Sequence, residues 1–306
     1  MSKYTSGINL KDKNSTSTMI FDKIKAKSLV FDVGCASGYF AELLVKKKHC
    51  QVIGLEIDEE DAKKAEVFCK TVLRDDVESE SWEGRISGKK FDHIIFADVL
   101  EHLKDPEKVL VRMKKFLKSD GSILVSIPNI AHISVRLELL GGNFVPESTG
   151  ILDNTHLKYF TKETFSELAK RAGYKISDIF QSSFDFPEDK LKEILSEFGL
   201  SANEASIKKL VSNDAVAYQY FFELSLGEAV STNENPEMKK PIYIVRAFLK
   251  SVEDDHRKFK EEEIKNVRLL QEENRNLQKR ITSLENTLPN RLKSRLKKLL
   301  KVRSRN

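Results

Sequence analysis

Short apolar runs alternate with amphipathic segments from residue 28 to about residue 130 of the chain. The runs are continuous in Val, Ile, Leu and Phe, which is typical of strands that are covered on both faces. They are SLVFDV (28–33), QVIGLEI (51–57), TVLRDD (71–76), DHIIFADV (92–99) and SILVSIP (122–128). This alternation predicts an α/β fold in which an open, mostly parallel sheet carries helices on both faces, as in Rossmann-like proteins.

The segment DPEKVLVRMKKFLKSDG (105–121) gives a clear helix signal between the last two of these runs. Asp105 suits the N-cap, Pro106 suits the first turn, and Gly121 suits the position after the helix end. The apolar residues of this segment recur at helical spacing on one face. We therefore expect a helix that continues almost to Gly121.

Two further strand-like runs, YKISDIF (174–180) and AYQYFFELSL (217–226), bring the predicted sheet to seven strands. Helices are predicted over AHISVRLELL and over TKETFSELAKRAG, where Thr161 suits the N-cap and Gly173 the stop. A further helical stretch is predicted between 187 and 212. These elements complete a domain over residues 28–226, preceded by an N-terminal extension over residues 1–27.

The C-terminal part has a different pattern. Residues 227–245 are poor in apolar side chains and predict a linker. Within 246–288, heptads place apolar residues at alternate spacings of three and four. Positions a are Val267, Asn274, Ile281 and Leu288, and positions d are Leu270, Leu277 and Leu284. This predicts a coiled coil and hence a homodimer; the alternative is a single helix that folds back onto the domain.

Composition and charge restrict the classes of function. The apolar share of 40% and the charged share of 32% are typical of a globular protein. Three cysteines without metal-ligand spacing, a polar N-terminus and the lack of a run of about 18 apolar residues favour a cytoplasmic protein. The net charge of +5 hides an asymmetry, because residues 291–305 hold eight basic residues and no acids. The rest of the chain is therefore slightly acidic, and we expect no nucleic-acid partner.

The basic tail over residues 289–306 is amphipathic. Its leucines form a stripe among lysines and arginines, a pattern that lets a helix lie on an anionic membrane surface. We expect peripheral contact with the inner face of the cell membrane. The alternatives are a solvated helix end and a helix that docks on another protein.

The run FDVGCASGYF (31–40) is the first sign of chemistry. A strand ends in an acid, Asp32, and a turn of small residues leads into a helix that starts near Ser37. Small residues let the backbone approach a ligand at the carboxyl edge of the sheet, and the helix N-terminus offers N–H groups to it. Dehydrogenases share such a turn, so the turn alone does not identify the ligand.

The surrounding acids distinguish between the possible ligands. A dinucleotide-binding turn would have glycine at position 36, where this chain has Ala36. Further acids follow the next strands at Glu56, Asp76 and Asp98. Carboxylates without a cationic clamp suit a ligand that is positively charged or rich in hydrogen-bond donors. S-adenosylmethionine has a sulfonium, an ammonium, ribose hydroxyls and an adenine amino group, whereas NAD has two phosphates and fits poorly.

With these features, residues 28–226 resemble a class I S-adenosylmethionine-dependent methyltransferase. DVGCASG resembles the first motif of that superfamily, and ADVLEHL resembles its motif after the fourth strand. The resemblance implies that the methionine end of the cofactor binds at the first motif, with Asp32, Gly34, Ala36 and Gly38.

The remaining cofactor contacts also follow from the resemblance. Glu56 would bind the ribose hydroxyls, and Ile57 would pack on adenine. Asp76 would accept a hydrogen bond from the adenine amino group beside Val77, with Asp75 as the alternative acid. Ala97 and Asp98 would line the cleft.

A narrower resemblance covers IPNIAHISVRLELLGGNF (127–144) and GILDNTHLKYFT (150–161). These segments are similar to a group of bacterial methyltransferases found beside, or fused to, glycosyltransferases of surface-polysaccharide synthesis. They imply a saccharide acceptor, with O-methylation of a sugar hydroxyl in a surface glycan or lipid-linked saccharide. The alternatives are a small metabolite such as a quinone precursor, and an inactive coiled-coil scaffold.

Methylation of a hydroxyl calls for a base, and histidine titrates near neutral pH. We expect His156 to serve, with Asp153 as an orienting partner; alternatively, His156 only caps the next helix. His132 is the second candidate, and we expect His102 to be structural. Some ubiquinone-pathway O-methyltransferases bind a divalent metal through a pattern similar to Asp98-x-x-Glu101-His102. Because neighbouring side chains on one turn rarely converge, we expect no metal site.

Overall fold

The computed structural model describes residues 8–184, 186–211, 214–227 and 240–287. The chain divides into two compact units, Met1–Val230 and Ser231–Asn306. Seven strands lie in the first unit: β1 Leu29–Val33, β2 Gln51–Glu56, β3 Thr71–Arg74, β4 Phe91–Ala97, β5 Leu117–Pro128, β6 Tyr174–Ser183 and β7 Ala217–Leu226. The helices of this unit are α1 Thr16–Lys23, α2 Tyr39–Lys48, α3 Glu59–Ala65, α4 Pro106–Met113, α5 Ile133–Leu140, α6 Lys162–Arg171, α7 Glu188–Glu197 and α8 Glu204–Val211.

The strands form one sheet in the order β3-β2-β1-β4-β5-β7-β6. Strands β1 to β5 pair in parallel, and β7 runs antiparallel to both of its neighbours. The chain leaves β1 toward β2 and later returns to β4 on the other side of β1. Ligands of open α/β sheets bind at such a switch point, at the carboxyl ends of the strands. The prediction of a seven-stranded, mostly parallel sheet with helices is confirmed.

Both faces of the sheet are covered by apolar side chains. On one face Phe31, Trp82 and Phe91 pack with the residues of α4 and α6. On the other face Val30 and Ile95 of the central strands pack with α1 and α2. The α1 contribution comes from Ile20, Phe21 and Ile24, which are buried. The predicted N-terminal extension thus contributes the buried face of α1 to the core of this unit.

Helix α4 and strand β5 divide the segment 105–128 differently from the prediction. Asp105 caps α4 as expected, and its side chain accepts from the Lys108 amide. The helix ends at Met113, however, and β5 begins at Leu117, which pairs with Phe91. Gly121 lies inside β5, where a Cβ atom would be 2.9 Å from the carbonyl oxygen of Asp92. The glycine therefore permits close strand contact and does not end a helix.

The described part of the second unit is a long helix, α9, which covers Lys240–Thr287. It begins inside the predicted linker and includes the described part of the predicted coiled-coil segment. Val267, Leu270 and Leu277 of the predicted seam are exposed. Pairing of this helix with a second copy stays a prediction. Most of the linker, Leu288 and the basic tail lie outside the described residues. Among the described helices, none combines the length and apolar character of a transmembrane span.

Candidate active site

The carboxyl ends of β1, β2 and β4 bring three predicted acids to one edge of the sheet. Asp32 of β1 is in register with Gly54 of β2 and with Ile95 of β4. Two residues further along β2 comes Glu56, and Asp98 directly follows the last residue of β4. The register therefore places these acids at one edge of the sheet, as the sequence predicted.

The turn after β1 has its glycines where side chains cannot fit. Gly34 has φ +71° and a Cβ there would be 2.6 Å from Val99 Cγ2. Gly38 has φ +79° and a Cβ there would be 2.8 Å from the Cα of Ala65. Both the backbone conformation and the space available thus favour glycine. Helix α2 begins at Tyr39, directly after this turn. Its N-terminus therefore lies at the edge of the sheet where a ligand would bind.

Glu56 holds this turn against β2. Its Oε2 accepts from the Ala36 amide at 2.8 Å, and its Oε1 accepts from the Asp58 amide at 2.9 Å. Ala36 itself has φ +46°, an uncommon value for a residue with a side chain. Because a carboxylate offers about four acceptor sites, Glu56 can hold the turn and still accept from two ribose hydroxyls.

Asp32 is a buried carboxylate with unmet hydrogen-bonding capacity. The residue is 3% exposed, and its Oδ2 has no hydrogen-bond partner among the residues that the structure describes. Burial, together with the nearby charge of Glu56, raises the pKa of Asp32 to about 7. A cation placed beside Asp32 would favour its ionised form and supply the missing partner. This is the electrostatic environment that a positively charged ligand requires.

The predicted adenine side of the site has one exposed and one buried apolar residue. Ile57 is 68% exposed at the end of β2, and Val77 is buried. Asp75 has its Oδ2 occupied by Ser81 and Arg85, both at 2.7 Å. Asp76 is more exposed, and its Oδ1 accepts from the Glu78 amide. These contacts favour Asp76 over Asp75 as the acid that meets a ligand.

Asp98 closes the fourth strand in a left-handed conformation, with φ +54°. Its Oδ1 accepts from Ser126 Oγ and from Gln219 Nε2, each at 3.0 Å. Burial raises the pKa of Asp98, although these two hydrogen bonds and the charge of His102 oppose that rise. Ala97, the other predicted cleft residue, is half-buried in the position before it. The side chain of Asp98 is thus held from β5 and β7, an arrangement that the sequence did not predict.

Beyond Asp98, three residues from two separate segments converge. Glu101 and His102 lie in the short 3₁₀ turn after β4, and His156 lies in the loop before α6. One carboxylate oxygen and one ring nitrogen from each histidine all lie within 4.8 Å of one another. The two imidazole rings meet edge to face, with centroids 4.8 Å apart. His102, expected to be only structural, is therefore part of this cluster.

Glu101 is the unusual member of the cluster. It is 1% exposed, and neither of its carboxylate oxygens has a hydrogen-bond partner. Burial raises the pKa of Glu101 well above its ordinary range, and the charges of Asp98 and Asp153 add to the rise. Neither Asp98 nor Glu101 forms an ion pair with lysine or arginine in the described part of the chain.

The loop that carries His156 is fixed to the turn that carries Glu101. The amides of Leu157 and Lys158 donate to the backbone oxygen of Glu101 at 2.8 and 2.9 Å. His156 Nδ1 lies 3.1 Å from the carbonyl oxygen of Ile151. Asp153, its predicted orienting partner, accepts from the amide and the hydroxyl of Thr155. The catalytic role of His156 stays a prediction.

His132 has a structural task that the sequence did not suggest. It is the N-cap of α5, where its Nδ1 accepts from the Ser134 amide at 3.3 Å. The ring is buried against Tyr218, and burial lowers the pKa of His132. Its Nε2 has no hydrogen-bond partner. The ring therefore has one nitrogen engaged in the helix cap, and its proposed role in catalysis stays a prediction.

Comparisons with known proteins agree with this geometry. A model of the methyltransferase domain matches residues 13–179, more than half of the 306 residues. The chain is 27% identical over 134 residues to a ubiquinone biosynthesis O-methyltransferase of Actinobacillus pleuropneumoniae, a match that covers 38% of this chain and 52% of the relative. It is 27% identical over 184 residues to a probable S-adenosylmethionine-dependent methyltransferase of Mycolicibacterium smegmatis, covering 60% of this chain and 65% of the relative.

The chain thus spans between half and two thirds of the length of these curated relatives. Among solved structures, an S-adenosylmethionine-dependent methyltransferase from Archaeoglobus fulgidus aligns with a TM-score of 0.51 and 20% identity. That alignment covers 71% of this chain and 94% of the other, and it supports the fold. Since the domain model matches more than half of its residues, this chain belongs to the class I S-adenosylmethionine-dependent methyltransferase family.

Proposed function

We propose that this protein transfers the methyl group of S-adenosylmethionine to a hydroxyl oxygen of an acceptor. The observation that carries the proposal is the buried Asp32 carboxylate, whose Oδ2 lacks a partner at the carboxyl edge of the sheet. An acid in this position favours a cationic ligand, and the methyl donor carries both a sulfonium and an ammonium. Family membership supports the same cofactor.

The proposed contacts with the donor follow the edge of the sheet. Asp32 and the turn at Gly34, Ala36 and Gly38 receive the methionine end, and Glu56 receives the ribose. The adenine base packs on Ile57 and Val77, and Asp76 accepts from its amino group. Ala97 and Asp98 border the methyl group. Positioning of the acceptor oxygen in line with the sulfonium supplies much of the rate in such a transfer.

The proposed acceptor is a sugar hydroxyl in a surface glycan or in a lipid-linked saccharide. Support comes from the resemblance of 127–144 and 150–161 to the methyltransferases found beside glycosyltransferases. The acceptor would lie next to the cluster of Glu101, His102 and His156, which follows the carboxyl end of β4. His156 is the candidate base for the hydroxyl proton, and His132 is the second candidate.

A second acceptor class is favoured by the curated relatives. Several of them are named ubiquinone biosynthesis O-methyltransferases, which supports a small metabolite such as a quinone precursor. Both acceptors present a hydroxyl, so the chemistry of transfer is shared. An inactive scaffold is the third alternative, and it predicts that the protein does not bind the donor.

The proposed setting is the cytoplasmic side of the cell membrane. A homodimer formed by the C-terminal helix and peripheral contact through the basic tail would bring the domain to a lipid-linked acceptor. Support comes only from the sequence pattern of those segments. Binding of the full chain to anionic vesicles, compared with binding to neutral vesicles, tests the contact.

The function is tested by methyl transfer from labelled S-adenosylmethionine to cell-envelope extracts. We expect label in the saccharide fraction with the wild-type protein and little transfer with Asp32→Asn. Glu60→Gln, which removes an exposed acid from α3, is the matched control and should retain activity. Label in a phenolic lipid fraction would favour the quinone precursor. Absence of donor binding by calorimetry would contradict the proposed function and favour the scaffold.

A further inference from the structure

We propose that Glu101, His102 and His156 bind a divalent transition-metal ion at the acceptor side of the cofactor site. The ligands would be one carboxylate and two imidazoles, with His156 supplied by the loop before α6. That the ion serves the acceptor rests on the proposed function; the site itself rests on the geometry of these three residues.

The strongest observation is the unsatisfied carboxylate of Glu101. A buried polar group without a hydrogen-bond partner is costly, and native proteins rarely leave one without an ion or a water. Both oxygens of Glu101 are in this condition, and the residue is 1% exposed. Glu101 also has two further carboxylates nearby, those of Asp98 and Asp153, so its surroundings favour a cation there. A metal ion would satisfy the carboxylate and offset the crowding of negative charge.

The hydrogen bonds of the two histidines place their ring protons on Nδ1. A carbonyl oxygen only accepts, so the contact of 3.1 Å with Ile151 places the proton of His156 on Nδ1. His102 Nδ1 lies 3.2 Å from both the carbonyl and the hydroxyl oxygen of Thr155. That hydroxyl donates to Asp153 at 2.6 Å and so can only accept from His102.

In the neutral form of both rings, Nε2 therefore carries the lone pair. Histidines that bind metals commonly donate their other ring N–H to a backbone carbonyl, which fixes the tautomer and the orientation of the ring. Here the backbone oxygens of Thr155 and Ile151 accept those N–H groups. The loop thus holds both rings in the form that a metal requires.

The distances suit a metal after a small adjustment. Two ligands at about 2.1 Å from one ion lie at most about 4.2 Å apart. The three ligand atoms lie within 4.8 Å of one another. Tetrahedral ligands at that bond length lie about 3.4 Å apart, so closure needs pairs of atoms to approach by up to about 1.4 Å. Two imidazoles and one carboxylate suit Mn²⁺, Fe²⁺, Co²⁺ or Zn²⁺ better than Ca²⁺, which prefers oxygen ligands.

Asp98 is not a member of this set, although the sequence pattern Asp98-x-x-Glu101-His102 suggested it. Its Oδ1 is held by Ser126 and Gln219, each at 3.0 Å. His156 instead completes the set from 54 to 55 residues further along the chain, through a loop that donates two amides to the Glu101 backbone oxygen. Three protein ligands leave a coordination position open for an acceptor oxygen. When bound, the ion would stabilise the deprotonated hydroxyl as a Lewis acid. His156 would then be a ligand in place of the base, and the hydroxyl proton would leave to water.

The test uses Co²⁺ alone as the probe and absorption bands of the bound ion as the readout, so it does not depend on methyl transfer. We expect the full chain to bind one Co²⁺, with affinity lowered by 10- to 100-fold or more in Glu101→Gln and His156→Ala. Thr155→Val removes the hydroxyl that accepts from His102 but keeps the backbone oxygen, so it should weaken binding by less than the ligand variants do. Thr155 is exposed, so its variant keeps the test informative where a ligand variant does not fold.

Two control variants identify the ligand set. His49→Asn removes an exposed histidine of the α2–β2 connection and should leave Co²⁺ affinity unchanged. Asp98→Asn removes a nearby charge but no ligand, so it should lower the affinity less than the ligand variants do. Loss of binding in Asp98→Asn with retention in His156→Ala would overturn the proposed set. A wild-type protein that binds S-adenosylmethionine but not Co²⁺ or Mn²⁺ would refute the metal site and leave the proposed function standing. A protein that binds Co²⁺ but not S-adenosylmethionine would support the metal site and contradict the proposed function.

Discussion

Asp32 connects the electrostatics of the site to a measurable proton. Its pKa is about 7 in the unliganded protein because it is buried and close to Glu56. A sulfonium or ammonium nearby favours the carboxylate, so donor binding should lower this pKa. At pH 7 we therefore expect release of about half a proton when S-adenosylmethionine binds. Calorimetry in two buffers with different ionisation enthalpies measures it.

Asp32→Asn is the control for that measurement, since it removes the titrating group but keeps the shape. We expect the variant to bind the donor more weakly and with no proton release from this site. The raised pKa of Asp32 also means that ionisation of this carboxyl destabilises the folded protein. Because the folded pKa is raised, wild-type stability falls as pH rises from about 4 through about 7. The stability of the variant relative to the wild type should therefore be higher at pH 8 than at pH 5; equal proton release from both proteins would contradict the assignment.

Sequence reasoning found the acids of the cofactor site but not the Glu101 cluster. Asp32, Glu56 and Asp98 follow strands, and parallel strands carry their ends to one edge, so local pattern is enough to group them. Glu101 and His156 meet because a loop folds back and donates to the Glu101 carbonyl. No local periodicity predicts that contact. The expectation of no metal site considered only side chains on one turn, whereas His156 comes from a separate segment.

At the scale of elements, the turn between β1 and α2 depends on close approach to α3. Gly38 has φ +79°, and a Cβ there would be 2.8 Å from the Ala65 backbone. Gly38→Ala should cost about 1–3 kcal/mol from the strained backbone alone, and the collision with α3 adds to that cost. We expect a lowered melting temperature and a large loss of affinity for S-adenosylmethionine.

Gly88→Ala is the matched control. Gly88 has nearly the same φ, +77°, but nothing lies within 4 Å of its Cβ position. The control carries the backbone strain without the collision, so the difference in the free energy of unfolding between the two variants isolates the contact with Ala65. Equal destabilisation, together with unchanged donor affinity in Gly38→Ala, would show that close packing of this turn is not required.

The elements themselves were predictable to different degrees. Buried parallel strands are continuous apolar runs bounded by polar residues, so their existence and order follow from sequence. The boundary between α4 and β5 does not follow from the sequence. Phe116 and Leu117 continue the apolar spacing of the helix, although they are buried outside it. Pairing of Leu117 with Phe91 decides the conformation, and that pairing is a long-range contact.

At the scale of the molecule, the core begins earlier than the first strand. Helix α1 lies in the segment that was predicted as an N-terminal extension. Its residues Ile20 and Phe21, and the following Ile24, are nevertheless buried in the core. Asn14 exchanges two hydrogen bonds with the Ser183 backbone, and Lys23 pairs with Glu223 of β7. A helix of eight residues gives a weak periodic signal, and these polar partners of Asn14 and Lys23 lie more than 150 residues away.

Helix α9 allows a direct test of the predicted homodimer. Leu270 is a d position of the heptads and is 65% exposed, whereas its neighbour Leu269 is a c position and is 55% exposed. If two copies pair along the seam, Leu270→Lys places two charges against each other in the interface and should produce monomers. Leu269→Lys adds the same charge one residue away, outside the seam, and should leave the dimer intact. Sedimentation velocity over a range of concentrations distinguishes the two states. A wild-type monomer, or equal effects of both substitutions, would contradict a coiled coil in this register.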